Sequence, residues 1–231
     1  MKRNGILLNL KGSAVELIEE VGDNHIATSL ETPMKENAHA ISDREKIEKI
    51  AEHFAYIMDT LGLDLSDDSL RGTPMRVAKM YVEEVFSGLN PKSKPEVKLF
   101  ENKYGYNEML VEKDIKVHSF CEHHFVPIIG IAHVAYINSG KVVGLSKLNR
   151  IVDYFAKRPQ VQERLTMQIA DELKQALGTD DVAVVIDAKH MCVSLRGVED
   201  TSSTTVTASY SGAFQNEETK KEFLQYIFGM K

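Results

Sequence analysis

The sequence predicts an α+β chain in which helices pack on one face of a largely antiparallel sheet. Three observations carry that expectation. Apolar residues first recur at helical spacing, over residues 47–85. After Pro95 that spacing gives way to runs rich in β-branched and aromatic residues. The helical period then returns twice, at 146–178 and after Glu217, with further strand-like runs in between.

In order along the chain, Ser13 and Glu16 form a capping box for a short helix through Val21. Residues 22–41 carry Gly, Asp, Asn, Thr and Pro without a period and read as an arm. Ser42 and Glu45 make a second capping box, followed by Ile47, Ile50, Phe54, Ile57, Met58 and Leu61 at helical spacing. Thr73 and Pro74 read as N-cap and first helical residue of another helix, which Gly88 would stop. Strands are expected at 97–100, 109–120, 125–137 and 142–145, then a helix over 146–157. Pro159 precedes a helix with Val161, Leu165, Ile169, Leu173 and Leu177 on one stripe, capped by Gly178. Strands follow at 182–187, 191–195 and 204–210, and a last helix starts near Glu217. The organisation is an arm (1–41), a helical region (42–95) and a sheet domain (96–231).

Composition narrows the function classes. Of the 231 residues, 43% are hydrophobic and 27% charged, which excludes a wholly disordered chain. Lys and Arg total 28 against 34 Asp and Glu, a net charge of -6, so a general binder of nucleic acid or anionic membrane is not expected. No apolar run approaches the ~20 residues of a membrane span, and the stretch after Met1-Lys2-Arg3 is too short for a signal-peptide core. The expected compartment is the cytoplasm, where thiols stay reduced. The two cysteines, Cys121 and Cys192, are therefore read as metal ligands in preference to a disulfide.

Their neighbours support this. Cys121-Glu122-His123-His124 is the densest group of metal-capable side chains, and His190-Met191-Cys192 is the second. Thiolate and imidazole are the donors zinc prefers, and three protein ligands would leave one position for water. Strand alternation pairs Cys121 with His123, whereas a turn pairs it with His124, and spacing alone leaves both open. Basic residues form a second constellation: Lys147 and Arg150 share one helix face, Arg76 and Lys79 another, and Arg196 follows Cys192. Such clusters bind phosphates. Gln162 and Glu163 open a helix, and a carboxylate there can favour the helix dipole or accept the N1–H and 2-amino hydrogens of guanine.

Together these residues resemble the GTP cyclohydrolase I family. The resemblance rests on Cys121-Glu122-His123-His124-Phe125-Val126-Pro127, on 144–152, on 158–166, and on His190-Met191-Cys192 with Arg196-Gly197. Thr73-Pro74 with Arg76, Ala78, Lys79 and Met80 also looks like the family's upstream helix, and the similarity covers roughly residues 43–230. It implies the tunnelling fold (T-fold), a toroidal homodecamer with active sites between subunits, and zinc-dependent opening of the guanine imidazole ring of GTP. The products would be 7,8-dihydroneopterin triphosphate and formate, at the start of tetrahydrofolate and pterin synthesis.

By the same resemblance Cys121, His124 and Cys192 match the Zn2+ ligands. His123 and His190 match catalytic histidines that do not bind the metal, with His190 suited to protonate N7 and His123 and Ser146 candidates for the later proton transfers. Gln162 and Glu163 would hold guanine. Lys147, Arg150 and Arg196 would hold the triphosphate, and Arg76 and Lys79 would serve a neighbouring chain. Ile131 and Tyr210-Ser211 depart from the family pattern without touching the matched ligands. Two rivals are a nitrile reductase on the same fold, which uses a covalent cysteine with NADPH, and a nucleotide-binding module with a closed structural zinc. The paired Cys motifs speak against the first, and His123, His190 and Ser146 against the second.

Overall fold

The computed structural model describes residues 29–138 and 140–229. The helix expected from Ser13 to Val21 lies outside the described residues. Contacts set residues 34–231 apart as one compact unit.

Helix α1 (Asp43–Thr60) starts where the capping box predicts, with the Ser42 hydroxyl accepting from the Glu45 N–H at 3.2 Å. Helix α2 (Thr73–Lys79) has Gly72, not Thr73, at its N-cap position, and it widens into a π-helical turn over Met80–Val85. Ile47 and Ala51 of α1 meet Ala78 of α2 in a small core of their own. Gly88 was expected to stop this helix, but its role is close approach. Its N–H donates to Lys157 O at 2.9 Å, and a Cβ there would lie 2.1 Å from Tyr154 O.

The main sheet contains β2 (Met109–Cys121), β3 (Pro127–Ile137), β5 (Pro159–Gln160), β6 (Val182–His190) and β7 (Thr205–Tyr210), in the order β5-β2-β3-β6-β7. All pairings are antiparallel except the two-residue parallel contact of β5 with β2. A separate two-stranded ladder joins β1 (Leu99–Glu101) to β4 (Lys141–Val143). The expected strand at 125–137 begins only at Pro127, because residues 121–126 form a turn. The strand expected at 191–195 is instead a short helical turn, α5 (Met191–Ser194), and β6 runs on to His190. A short apolar run carries no period long enough to separate the two states.

Helices α3 (Leu145–Ala156) and α4 (Gln162–Leu177) cover one face of the sheet. Leu148, Ile151, Val152, Leu165, Ile169 and Leu173 pack there on Val117, Ile128, Val134, Val184 and Ile186. Each such side chain is worth roughly 1.5–3 kcal/mol in removal from water. The expectation of helices on one face needs correction for the last of them. Helix α6 (Glu217–Phe228) brings Phe223 against Ala135, Ala183 and Val185, which alternate with the α3/α4 set along their strands and so face the other way. Strand β2 serves both cores through a bulge: Glu112 pairs with Val134 but Ile115 with Ala132, and Asp114 takes φ 59°. Upstream, Met109 and Val111 face the α6 core; downstream, Ile115, Val117 and Cys121 face α3 and α4.

Candidate metal centre

The centre assembles where β2 and β6 end, on either side of β3. At the end of β2 the Cys121 N–H donates to Val126 O at 2.8 Å, and the Phe125 N–H donates back to Cys121 O at 2.9 Å. Phe125 takes φ 53°, a left-handed value that a non-glycine residue adopts at a cost of about 1 kcal/mol or more. This turn breaks strand alternation and brings position 124 round beside position 121. On the other side β3 pairs Ile128 with His190, and the α5 turn presents Cys192.

The donor atoms of Cys121, His124 and Cys192 all lie within 4.8 Å of one another. His124 Nδ1 is 4.0 Å from Cys121 Sγ. His123 Nδ1 comes within 3.7 Å of the same sulfur but does not belong to the three-residue group. Tetrahedral bonds of about 2.0–2.3 Å would put neighbouring donors roughly 3.3–3.8 Å apart, close to the spacing here, so the group suits a small divalent ion. Two sulfurs and one imidazole nitrogen form a soft donor set and leave a fourth position open. Burial pushes the Cys192 thiol up, and the adjacent Cys121 adds to this, while Arg196 opposes it. A bound dication reverses that balance by stabilising both thiolates.

His190 ends β6, two residues before Cys192, and its tautomer is fixed by its neighbour Gln162. Gln162 Nε2 donates to Ile186 O (3.1 Å), Thr205 O (2.8 Å) and Thr207 Oγ1 (3.1 Å). Two of these acceptors are carbonyls, so the amide can point only one way and Gln162 Oε1 accepts from His190 Nε2 at 2.7 Å. Nδ1 is then the nitrogen left for proton exchange. Burial lowers the His190 pKa, and the nearby Glu163 carboxylate partly offsets it. Gln162, expected to reach a ligand, is 2% exposed with its amide taken up inside the protein. It positions His190, whereas Glu163, one residue on, is exposed.

The remaining expected residues divide. Arg196 joins the group, donating from Nη1 to His124 Nε2 at 2.9 Å. Ser146, Lys147 and Arg150 stand on the first turns of α3, and none hydrogen-bonds the Cys–His–Cys group among the described residues. Arg76 lies on α2 and donates to Ser69 O and Thr73 Oγ1, while Lys79 is exposed at the end of that helix. Sequence reasoning missed one pair: Glu122, inside the ligand motif, receives a two-pronged ion pair from Arg164 of α4. The signal was an arginine on the buried stripe of an amphipathic helix, which needs an anionic partner.

Residues 50–228 match the family model described as GTP cyclohydrolase I. The chain is 59% identical to the GTP cyclohydrolase 1 of Flavobacterium johnsoniae over 92% of this chain and 95% of that protein. It is 56% identical to the enzyme of the same name from Aeromonas salmonicida, over 88% and 93%. For that of Aliivibrio fischeri the identity is 53%, over 90% and 95%. The chain belongs to the GTP cyclohydrolase I family.

Proposed function

We propose, from that membership, that this protein is a zinc-dependent hydrolase that opens the imidazole ring of GTP, releasing formate and 7,8-dihydroneopterin triphosphate for tetrahydrofolate and pterin synthesis. The observation that carries this is the Cys121–His124–Cys192 group with His190 held beside it in a fixed tautomer.

Zinc, when bound, supplies Lewis acidity and a water nucleophile near neutral pH. The chain's own residues do the rest. His190, after Nδ1 takes a proton from solvent, passes that proton to N7 of the purine as the bond to C8 weakens. His123 and Ser146 serve later proton transfers on the ribose. Glu163 accepts from N1–H and the 2-amino group of guanine and rejects adenine, which lacks that donor pair. Lys147, Arg150 and Arg196 hold the triphosphate, where a local cluster outweighs a net charge of -6. Arg76 and Lys79 face the site of a neighbouring copy.

A toroidal homodecamer fits the open edges of the sheet. Strand β5 pairs only with Phe120 and Cys121 of β2, and β7 is the last strand on the other side, so both edges offer backbone groups to a second copy. Among the described residues no helix is long and apolar enough to cross a membrane. We place the protein in the cytoplasm and assign it neither a membrane nor a nucleic-acid partner.

The test is GTP turnover by reduced protein, read as formate release and as fluorescence of the oxidised pterin. Turnover should vanish with a strong chelator and return with zinc. Undiminished turnover in metal-free protein would refute the zinc assignment, and bound GTP without product would refute the hydrolase. Glu163→Ala should weaken GTP binding while zinc stays in place; an unchanged GTP dissociation constant removes Glu163 from guanine recognition.

A further inference from the structure

We infer that Glu122 and Arg164 are positioning residues for the metal centre, their ion pair holding the turn that carries His123 and His124 and thereby setting the affinity for zinc. The inference rests on the zinc assignment above. Arg164 Nη1 donates to Glu122 Oε2 at 2.6 Å, and Nη2 donates to Oε1 at 3.1 Å. The arginine side chain is 3% exposed and the glutamate 18%, so water competes little for either. A fork of two parallel bonds fixes orientation as well as distance, which a single contact does not.

The turn needs such a restraint. It leaves the sheet at Cys121, holds Phe125 in a left-handed conformation, and carries His123 and His124 on its exposed side. The Glu122 N–H is tied to Gln160 O at 3.0 Å, and its carboxylate also lies 3.9 Å from His123 Nε2. Glu122 is thus anchored at both ends between the two flanking metal-capable residues, Cys121 and His123.

Arg164 stands two residues after Gln162 in the first turn of α4. One helical turn therefore grips both halves of the centre: Gln162 holds His190 at the end of β6, and Arg164 holds the turn at the end of β2. Groups that orient metal ligands from behind in this way typically change metal affinity 10- to 100-fold when lost.

The experiment measures zinc affinity by competition with a chromophoric chelator, and the visible spectrum of the cobalt-substituted protein, for wild type, Glu122→Gln and Arg164→Lys. Thermal unfolding of each metal-free form is followed in parallel. Glu122→Gln keeps the shape and loses the charge, and should weaken zinc about 10- to 100-fold and shift the cobalt bands. Arg164→Lys keeps the charge and loses the fork, and should fall between it and wild type. Wild-type affinity and spectrum in both variants would overturn the inference, even if their metal-free forms melt earlier. If Glu122→Gln fails to fold, Arg164→Lys decides; if neither folds, the pair serves folding at large and the inference falls. A wild-type protein that takes up no zinc would overturn the metal-centre assignment instead.

Discussion

His190 and His133 are both withdrawn from water on neighbouring strands, and the chain treats them in opposite ways. His190 ends β6, where Gln162 binds its Nε2 and is itself held by three further hydrogen bonds. His133 sits in mid-strand on β3, 1% exposed, opposite the bulge in β2. Its Nδ1 accepts from the Asp114 N–H at 3.2 Å, and its Nε2 has no hydrogen-bond partner among the described residues. The Phe228 ring lies edge-on to it at 6.0 Å. Burial lowers the pKa of both imidazoles. The difference teaches that burial alone does not decide how a histidine is held. At the β6 end a second residue fixes which nitrogen is free. At the bulge the imidazole accepts from the irregular backbone at Asp114.

Substitutions at the two places should separate this contrast, the largest effect first. Cys192→Ser removes one of the three donors and should abolish zinc retention and lower turnover on the order of a thousand-fold or more. Metal analysis and formate release check both, and normal turnover by the metal-free variant would refute the centre. Gln162→Leu frees the His190 ring without touching a ligand. Turnover should fall about 10- to 100-fold, because general acid–base help is weakened and not deleted. Stability to urea should fall by about 1–3 kcal/mol as buried carbonyls lose a donor. A variant with unchanged turnover would place the proton donor elsewhere.

His133→Leu should leave turnover within about two-fold and stability within about 1 kcal/mol, since it loses one bond but removes an unpaired buried nitrogen. A large loss of turnover would break the contrast. The smallest effect is in pH dependence. A histidine whose folded pKa lies below the ordinary 6.5 binds more protons when unfolded, so its contribution is present at neutral pH and is lost as pH falls below about 6.5. Wild-type stability should therefore fall between pH 7 and 5, by at most about 1.4 kcal/mol per pH unit for each such group. His133→Leu should show a shallower decline. An identical slope would mean that His133 does not carry it.

Much of this was legible in the chain. The capping box at Ser42, the stripes of α3 and α4, the left-handed Gly178 and the two Cys/His clusters all follow from local rules that the structure keeps. Three features were not legible, each for a physical reason. The turn at 121–126 places a non-glycine residue, Phe125, at positive φ, so no glycine marks it; strand alternation pointed to His123, and only a turn would select His124. The bulge falls at Lys113-Asp114 and likewise lacks a glycine. The side of the sheet that α6 covers depends on where the chain crosses after β7, and an apolar stripe of Phe223 and Ile227 reads the same on either face. The sequence marked Gln162 as a candidate, but its inward orientation follows from carbonyls on β6 and β7 that no local pattern announces.

The bulge in β2 also fixes how this chain can tolerate changes of length. Its odd-numbered positions face α6 before Asp114 and face α3 and α4 after it, so Cys121 reaches the α3/α4 side only because one extra residue intervenes. Removing that residue would act like a frameshift written in three dimensions: every side chain on one arm of the strand would exchange faces, and a lesion seven residues away would turn Cys121 toward the wrong core.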